Sequence, residues 1–485
     1  MTALVVLKTD DPPVMSFRNT MFTLSSSKEQ VNSSMADDGN RNHLAADFKE
    51  FGDQTTFHGL RYVTNNTYHG VRRLIWLAVV LGMTTWLIIN VIRAFLLMYQ
   101  YPETSSISVN YVPNVTFPAV TICNINQFRR DALEPHALQL LNQVFNRLEA
   151  RGNISVDLTD AKLFPSTDQG NVTNGFVRAA HRIEDMLLKC QWGTESCSHL
   201  NFTRRLTDYG VCHTFNDEPA GERGVLTVRN PGSRNGLYMR LNIQQDLYTF
   251  GESTAAGMKV LLHPQGEFPI IKEFAFSITP GFENSVAVRQ QTVTSLKEPY
   301  KSNCTEGFLK EFPFKYSVPA CQLECRARYV IEKCGCRDVR WPGSAEKCTI
   351  EKLVTCAYVY EDEFLSRGER CHCPMACKTT TYDSKVSLAF WPAKYLLKQL
   401  RRDSNMSEDF IRENFLDVYI YFEEIMYMDI EQQMAYTFQN VQSDIGGYLG
   451  LLCGMSLITL VEWADFIIIT IYKRCHGLMA KREPV

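Results

Sequence analysis

The stretch "LIWLAVVLGMTTWLIINVI", residues 74–92, runs for 19 residues without a charge, between Arg73 and Arg93. At 1.5 Å per residue a helix of that length reaches about 28 Å, close to the hydrocarbon thickness of a bilayer. A second apolar run, "IGGYLGLLCGMSLITLV" (445–461), lies between Asp444 and Glu462, and "FIIITIY" (466–472) extends it past Asp465. Two core helices of a soluble protein are the competing reading, but runs this long and uncharged favour membrane spans. A mean hydropathy of −0.18 excludes a many-pass transporter.

Flanking charges set an orientation. Arg72 and Arg73 precede the first span, and Lys473, Arg474, Lys481 and Arg482 follow the second. The positive-inside rule then puts both termini in the cytosol. "MTALVVL" is too short for the apolar core of a cleavable signal, so the first span serves as a signal anchor. The expected layout is a cytosolic region 1–71, a first span 72–99, an outer domain 100–435, a second span 436–472 and a cytosolic tail 473–485. A net charge of −3 gives no reason to expect nucleic acid.

The cysteines agree with that layout. Fourteen of the 16 fall between Cys123 and Cys377, in the outer domain, with only Cys453 and Cys475 elsewhere. An even, dense set in a translocated segment reads as disulfides. Zinc is the competing reading for "CGC" (334–336) and "CHCPMAC" (371–377), but the oxidising compartment and the lack of matched C-x₂₋₄-C pairs favour disulfides. Glycosylation sequons lie in the same segment at Asn114, Asn153, Asn171, Asn201, Asn303 and Asn405.

Residues 1–50 are polar and mixed and read as a disordered tail. Helical spacing recurs over 131–150 and 176–190, and 393–415 reads as two short helices. Alternation with glycine-rich turns marks strands over 224–263 and 274–296, and again at 416–428. Cys321 and Cys325, four apart, share one helix face. The fold class expected is a membrane α+β protein, two transmembrane helices with a large disulfide-rich α+β domain outside. There is no phosphate-cradling loop, no H-E-x-x-H and no G-x-S-x-G, so no enzyme, cofactor or metal site is expected. His181 and His263 have no motif around them and read as surface or loop residues.

Several strings then fall in a telling order. "FHGL" (57–60) precedes the first span, "FPAVTICN" (117–124) follows it, the 14 cysteines come next, and "DIGGYLGLLCGMS" (444–456) lies in the second span. In this order they resemble the degenerin/epithelial sodium channel superfamily, over about residues 56–475. The resemblance is strongest to its bile-acid-sensitive, cnidarian peptide-gated and acid-sensing branch. It implies a plasma-membrane homo- or heterotrimer around a sodium-selective, amiloride-sensitive pore. The outer domain would be built of palm, β-ball, finger, thumb and knuckle, and the partners would be related subunits, membrane lipid, sodium ions and an extracellular ligand. It also implies the pairs Cys123–Cys212, Cys190–Cys197, Cys304–Cys377, Cys321–Cys373, Cys325–Cys371, Cys334–Cys356 and Cys336–Cys348.

Site residues follow from the same resemblance. Gly454, Met455 and Ser456 stand at the G-x-S selectivity filter, with Met455 where the family usually has a small residue. Gly447, Gly450 and Gly454 fall at i, i+3 and i+7 on one helix face, either for close packing as in a GxxxG motif or to line the pore. Asp444 matches an outer-mouth carboxylate, Ser443 the degenerin position and Gly447 the amiloride contact. His58 and Gly59 match a His-Gly gating motif, and Tyr101 and Tyr300 an aromatic contact between first span and thumb. Glu462 and Asp465 read either as facing the inner vestibule or as interfacial anchors.

The acid-sensing pattern is incomplete. Where those members carry histidines and carboxylates this chain has Pro102, Glu103, Val109 and Met428, leaving Asp362 and Glu423 at acidic positions. The expected activator is therefore a peptide, an amphiphile or relief of divalent block, with proton gating as the alternative. A two-pass ATP-gated channel has fewer outer cysteines and no "FPAVTICN". A disulfide-rich adhesion protein or receptor, the alternative of another class, leaves the glycines of the second span without a purpose.

Overall fold

The computed structural model describes residues 39–135, 138, 172–217, 224–368 and 371–480. They fall into two compact units, one drawn from residues 39–94 and 441–480, the other from within 95–440.

In the first unit a helix over Gly39–Gln54 leads through a loop to the short helix Leu60–Thr64. The helical stretch corrects the expectation of a disordered tail for residues 39–50. Packing supplies what composition did not indicate: Phe51 stacks on Phe466 with ring centroids 4.4 Å apart and meets Trp463 edge-on at 4.9 Å. Next comes the 30-residue helix Gly70–Tyr99, whose single buried residue is Ala94. A helix apolar all round and uncovered is what a lipid-facing span requires. The second apolar run is not one helix. The segments Phe438–Cys453 and Leu457–Lys473 meet at 76°, across a break of three residues.

The second unit carries the strands β1 (Glu103–Tyr111), β2 (Val115–Thr116), β3 (Ala119–Asn124), β4 (Leu187–Trp192), β5 (Glu195–Ser196), β6 (Phe202–Leu206), β7 (Val211–Phe215), β8 (Thr227–Val228), β9 (Leu237–Asn242), β10 (Met258–His263), β11 (Phe276–Ile278), β12 (Phe282–Thr294), β13 (Lys378–Phe390) and β14 (Phe415–Met434). One sheet runs β13-β12-β14-β9-β4-β5, with β1 added on β14; a second runs β11-β10-β3-β7-β6. The 20-residue β14 holds the larger sheet together, pairing parallel with β12 and antiparallel with β9 and β1. Its N-terminal half is buried and its C-terminal half is half-exposed. Phe117, Leu237, Met239, Leu416, Ile420 and Phe422 fill the space between the sheets.

The strand and helix readings hold for 224–296 and 393–428. Residues 176–190 do not form one helix: it stops at Ala179, resumes as the turn Ile183–Met186, and Leu187–Trp192 joins β9 as a strand. Tertiary pairing overrides a helical period here. The expected helix at 131–150 lies largely outside the described residues. His181 and His263 are not surface residues; they are 3% and 6% exposed, with His181 Nδ1 2.9 Å from Gln244 Oε1 and His263 Nε2 2.8 Å from Thr121 Oγ1.

The helix Val318–Cys334 opens on the Ser317 cap, with Pro319 in its first turn, and ends on Gly335 in the left-handed region. It packs through Leu323, Ala327 and Val330 on Trp341, Leu353 and Ala357. Five disulfides lie in this part: Cys304–Cys377, Cys321–Cys373, Cys325–Cys371, Cys334–Cys356 and Cys336–Cys348. All five nest one inside the next, with sequence separations of 73, 52, 46, 22 and 12. Cys123–Cys212 joins β3 to β7, and Cys190–Cys197 closes the β4–β5 turn. These are the pairs the resemblance implied, and they take up both cysteine clusters that had suggested zinc. Each contributes about 2–4 kcal/mol by restricting the unfolded chain.

Candidate functional site

The glycines of the second span sit where its helix fails. After Phe438–Tyr448 the backbone widens into a π-helical turn, Leu449–Cys453, and Gly454 adopts φ +63°, in the left-handed region where only glycine is unstrained. Gly447, Gly450 and Gly454 therefore do not line one continuous helix face, which corrects the spacing argument. A Cβ added at Gly447 or Gly450 would meet nothing, whereas one at Gly454 would overlap the His58 ring. Ser443 and Asp444 lie on the helix before the break, Ser443 exposed and Asp444 half-buried.

Below the break Ser456 starts the next helix. Its Oγ accepts from Thr459 N at 3.4 Å, and its N–H donates to Thr459 Oγ1 at 3.0 Å, a reciprocal cap. Thr459 is fully buried, and its hydroxyl also meets Thr56 Oγ1 at 2.5 Å. Thr55 Oγ1 and Thr56 N both donate to Glu462 Oε2 at 3.1 Å. His58 N donates to Cys453 O at 3.0 Å. Gly59 turns the chain with φ +89°, and an added Cβ would lie 2.9 Å from Val80 Cγ2. The residues Thr55–Gly59 thus form a cradle against the broken helix, and Lys473 pairs with Asp47 at 3.2 Å beside it. Glu462 serves as the acceptor of that cradle, and lines a cleft together with Asp465, Asp47 and Glu50. Sequence reasoning missed Thr55, Thr56 and Thr459. The signals were present as "TTFHG" and as S-x-x-T after the glycine, a capping spacing.

Chemically, a helix interrupted at membrane depth frees backbone carbonyls, which is tolerated where they face a wet cavity. Carbonyl and hydroxyl oxygens at such a break replace part of an ion's hydration shell.

In the second unit Tyr101 and Tyr300 meet edge to face, 5.6 Å between centroids. Tyr101 has φ 48°, an uncommon conformation for a bulky residue, directly after the first long helix ends. Val109 and Met428 are opposite one another in the β1–β14 register, and Pro102 O accepts from Ala435 N at 2.9 Å. Glu423 is ion-paired to Arg289 at 2.7 Å and to Lys385 at 3.4 Å, and the Arg289 hydrogen bond holds its carboxyl below the usual range. Asp362 is exposed. Burial brings His181 and His263 down to about 4, so neither charges in mild acid.

Glu267 differs from these. Its carboxyl lies in a cavity of about 950 Å³ lined by Lys315, Lys378, Tyr316 and the Cys304–Cys377 region, and desolvation pushes it up to about 7. Nothing in "HPQGEF" (263–268) marks it, because desolvation depends on the elements packed around it. Of the glycosylation candidates, Asn114, Asn303 and Asn405 are exposed. Asn201 is half-buried, with its Oδ1 capping Ser198 N at 2.9 Å, and Asn153 and Asn171 lie outside the described residues.

A protein-family model described as "Amiloride-sensitive sodium channel" matches residues 51–466. Acid-sensing ion channel 1C of Danio rerio is 33% identical over 454 residues, covering 90% of this chain and 86% of that protein. Acid-sensing ion channel 2 of Rattus norvegicus is 32% identical over 457 residues, covering 89% and 88%. A solved proton-activated chloride channel aligns over 82% of this chain and 98% of its own, with 6% identity and a TM-score of 0.31, a likeness too distant to carry any argument.

Proposed function

Because the chain belongs to the amiloride-sensitive sodium channel family, we propose that it is the pore subunit of a sodium-selective channel gated from outside the cell. Three copies, or this chain with related subunits, surround one pore in the plasma membrane. Residues 72–99 and 436–472 cross the bilayer, 100–435 lie outside, and both termini are cytosolic. Gly454, Met455 and Ser456 form the filter, Asp444 concentrates cations at the outer mouth, and amiloride contacts Gly447. Ser443 is the degenerin position, where bulky residues hold the pore open. The observation that carries this reading is the break at Gly454, held from below by His58 and Thr56 in an otherwise lipid-grade span.

Gating runs through the Tyr101–Tyr300 contact, which couples an extracellular ligand (a peptide, an amphiphile or a displaced divalent ion) to the first span. Proton gating is the second reading. It is favoured by the Glu267 cavity, a carboxyl poised near neutral pH in a chain that lacks the usual histidines.

Whole-cell sodium current from the chain expressed alone, with surface biotinylation, tests the pore. Gly454→Leu is expected to abolish current at unchanged surface level, since its side chain collides with His58 and imposes leucine on a left-handed residue. Wild-type current from that variant would remove Gly454 from the filter.

A further inference from the structure

Away from the pore, β6 is the open edge of the five-stranded sheet, and beside it lies a cleft of about 560 Å³. Arg204 on β6 stands directly opposite His213 on β7, so their side chains share a face. Arg182 and His199 line the same cleft, with Leu200, 84% exposed, at its apolar side. Neither Arg182 nor Arg204 forms an ion pair among the described residues. Asp185, also on the lining, is bound to Arg129 at 3.4 Å, which leaves Glu184 as the carboxylate without an ion pair there.

His213 explains what the cleft lacks. It is 4% exposed, and its Nε2 lies 3.4 Å from His181 O; a carbonyl only accepts, so Nε2 carries the proton. Nδ1 is left as a buried lone pair with no partner among the described residues. Such an atom needs a donor, whereas the two exposed guanidiniums offer donors to any acceptor that enters the cleft. No group of three metal-ligating side chains exists among the described residues, which argues against a metal as the missing partner.

We propose that this cleft binds a phosphate group, as inorganic phosphate or a phosphomonoester, whose oxygens accept from Arg204 and Arg182 while one acid proton bridges to His213 Nδ1. The chemistry selects that class. A phosphomonoester, with a second pKa of about 6, still holds a proton in part near neutral pH. Sulfate is fully deprotonated and offers nothing to Nδ1. Burial holds His213 below its ordinary value, so the ring does not supply the proton by itself. Of the charges around the cleft, which also include Arg178, Arg182 and Asp185, Arg204 opposes its protonation and Glu184 favours it. His181, behind it, is neutral above about pH 4. The bound state therefore carries one proton more than the free dianion and neutral ring, and affinity rises as pH falls through the phosphate range.

Calorimetric titration of the full-length protein in nanodiscs tests this directly, without reference to current. Inorganic phosphate and glycerol 2-phosphate form two arms, each near pH 6.5 and pH 8, with sulfate as the control. Binding in either arm, about tenfold weaker for sulfate and about tenfold weakened in Arg204→Gln, supports the site and identifies its source. Arg204 is exposed, so this variant keeps the fold; His213→Gln, where it folds, is expected to remove the pH dependence. Absence of binding in both arms, equal affinity for sulfate, or an unchanged Arg204→Gln titration overturns the proposal. Loss of channel current with intact phosphate binding, or the reverse, separates this site from the pore.

Discussion

Replacing Thr459 by valine keeps the shape of the side chain and removes one hydroxyl. That hydroxyl meets Thr56 Oγ1 at 2.5 Å, Ser456 N at 3.0 Å and Ser456 Oγ at 3.4 Å. Each hydrogen bond is worth about 0.5–1.5 kcal/mol net. Thr56 keeps its contacts to Glu462, so the loss falls mainly on Ser456. If one such bond, about 1.4 kcal/mol, holds the Ser456 hydroxyl at the ion path, its removal changes ion discrimination about tenfold. For a monovalent ion a tenfold change corresponds to about 59 mV. The sodium–potassium bi-ionic reversal potential of Thr459→Val is therefore expected to move towards zero by tens of millivolts, with Thr459→Ser restoring it. A structural role alone would lower current amplitude and leave the reversal potential in place. A wild-type reversal potential in Thr459→Val, or a Thr459→Ser variant indistinguishable from it, refutes the relay.

Tyr101→Ala removes an aromatic pair worth about 0.5–1.5 kcal/mol, so half-activation is expected to shift by up to about tenfold with the reversal potential unchanged; a selectivity change would count against the coupling. Glu267 is charged above about pH 7 and neutral below it. Acidification thus removes a partly desolvated charge, and Glu267→Gln, which imitates the protonated form, is expected to abolish any current change between about pH 8 and pH 6. A pH response retained in Glu267→Gln assigns proton sensing elsewhere.

Much of the molecule was legible because its signals are local. Charge-free length marked Gly70–Tyr99, alternation marked β9, β10, β12 and β14, and a four-residue spacing put Cys321 and Cys325 on one helix face. The cysteine pairs were legible only through the order of motifs, since spacing alone leaves many connectivities open. Where local period and tertiary pairing disagreed, at 183–192, the period misled, because β9 offered Leu187–Trp192 a ladder.

The sequence by itself determined that two apolar runs flank a disulfide-bearing domain, and that glycines interrupt the second run. Only the tertiary structure decided what those glycines do. Thr56 and Thr459 are 403 residues apart, and no periodicity reaches across that distance. Their contact holds the Thr459 hydroxyl that caps Ser456, just after the break at Gly454. Likewise, Glu267 is an unremarked residue in its segment and becomes titratable near neutral pH only through the elements that desolvate it. Hydrophobic pattern and turn chemistry are written into neighbouring residues. Burial, charge state and the positioning of a hydroxyl depend on what the fold brings alongside from elsewhere in the chain.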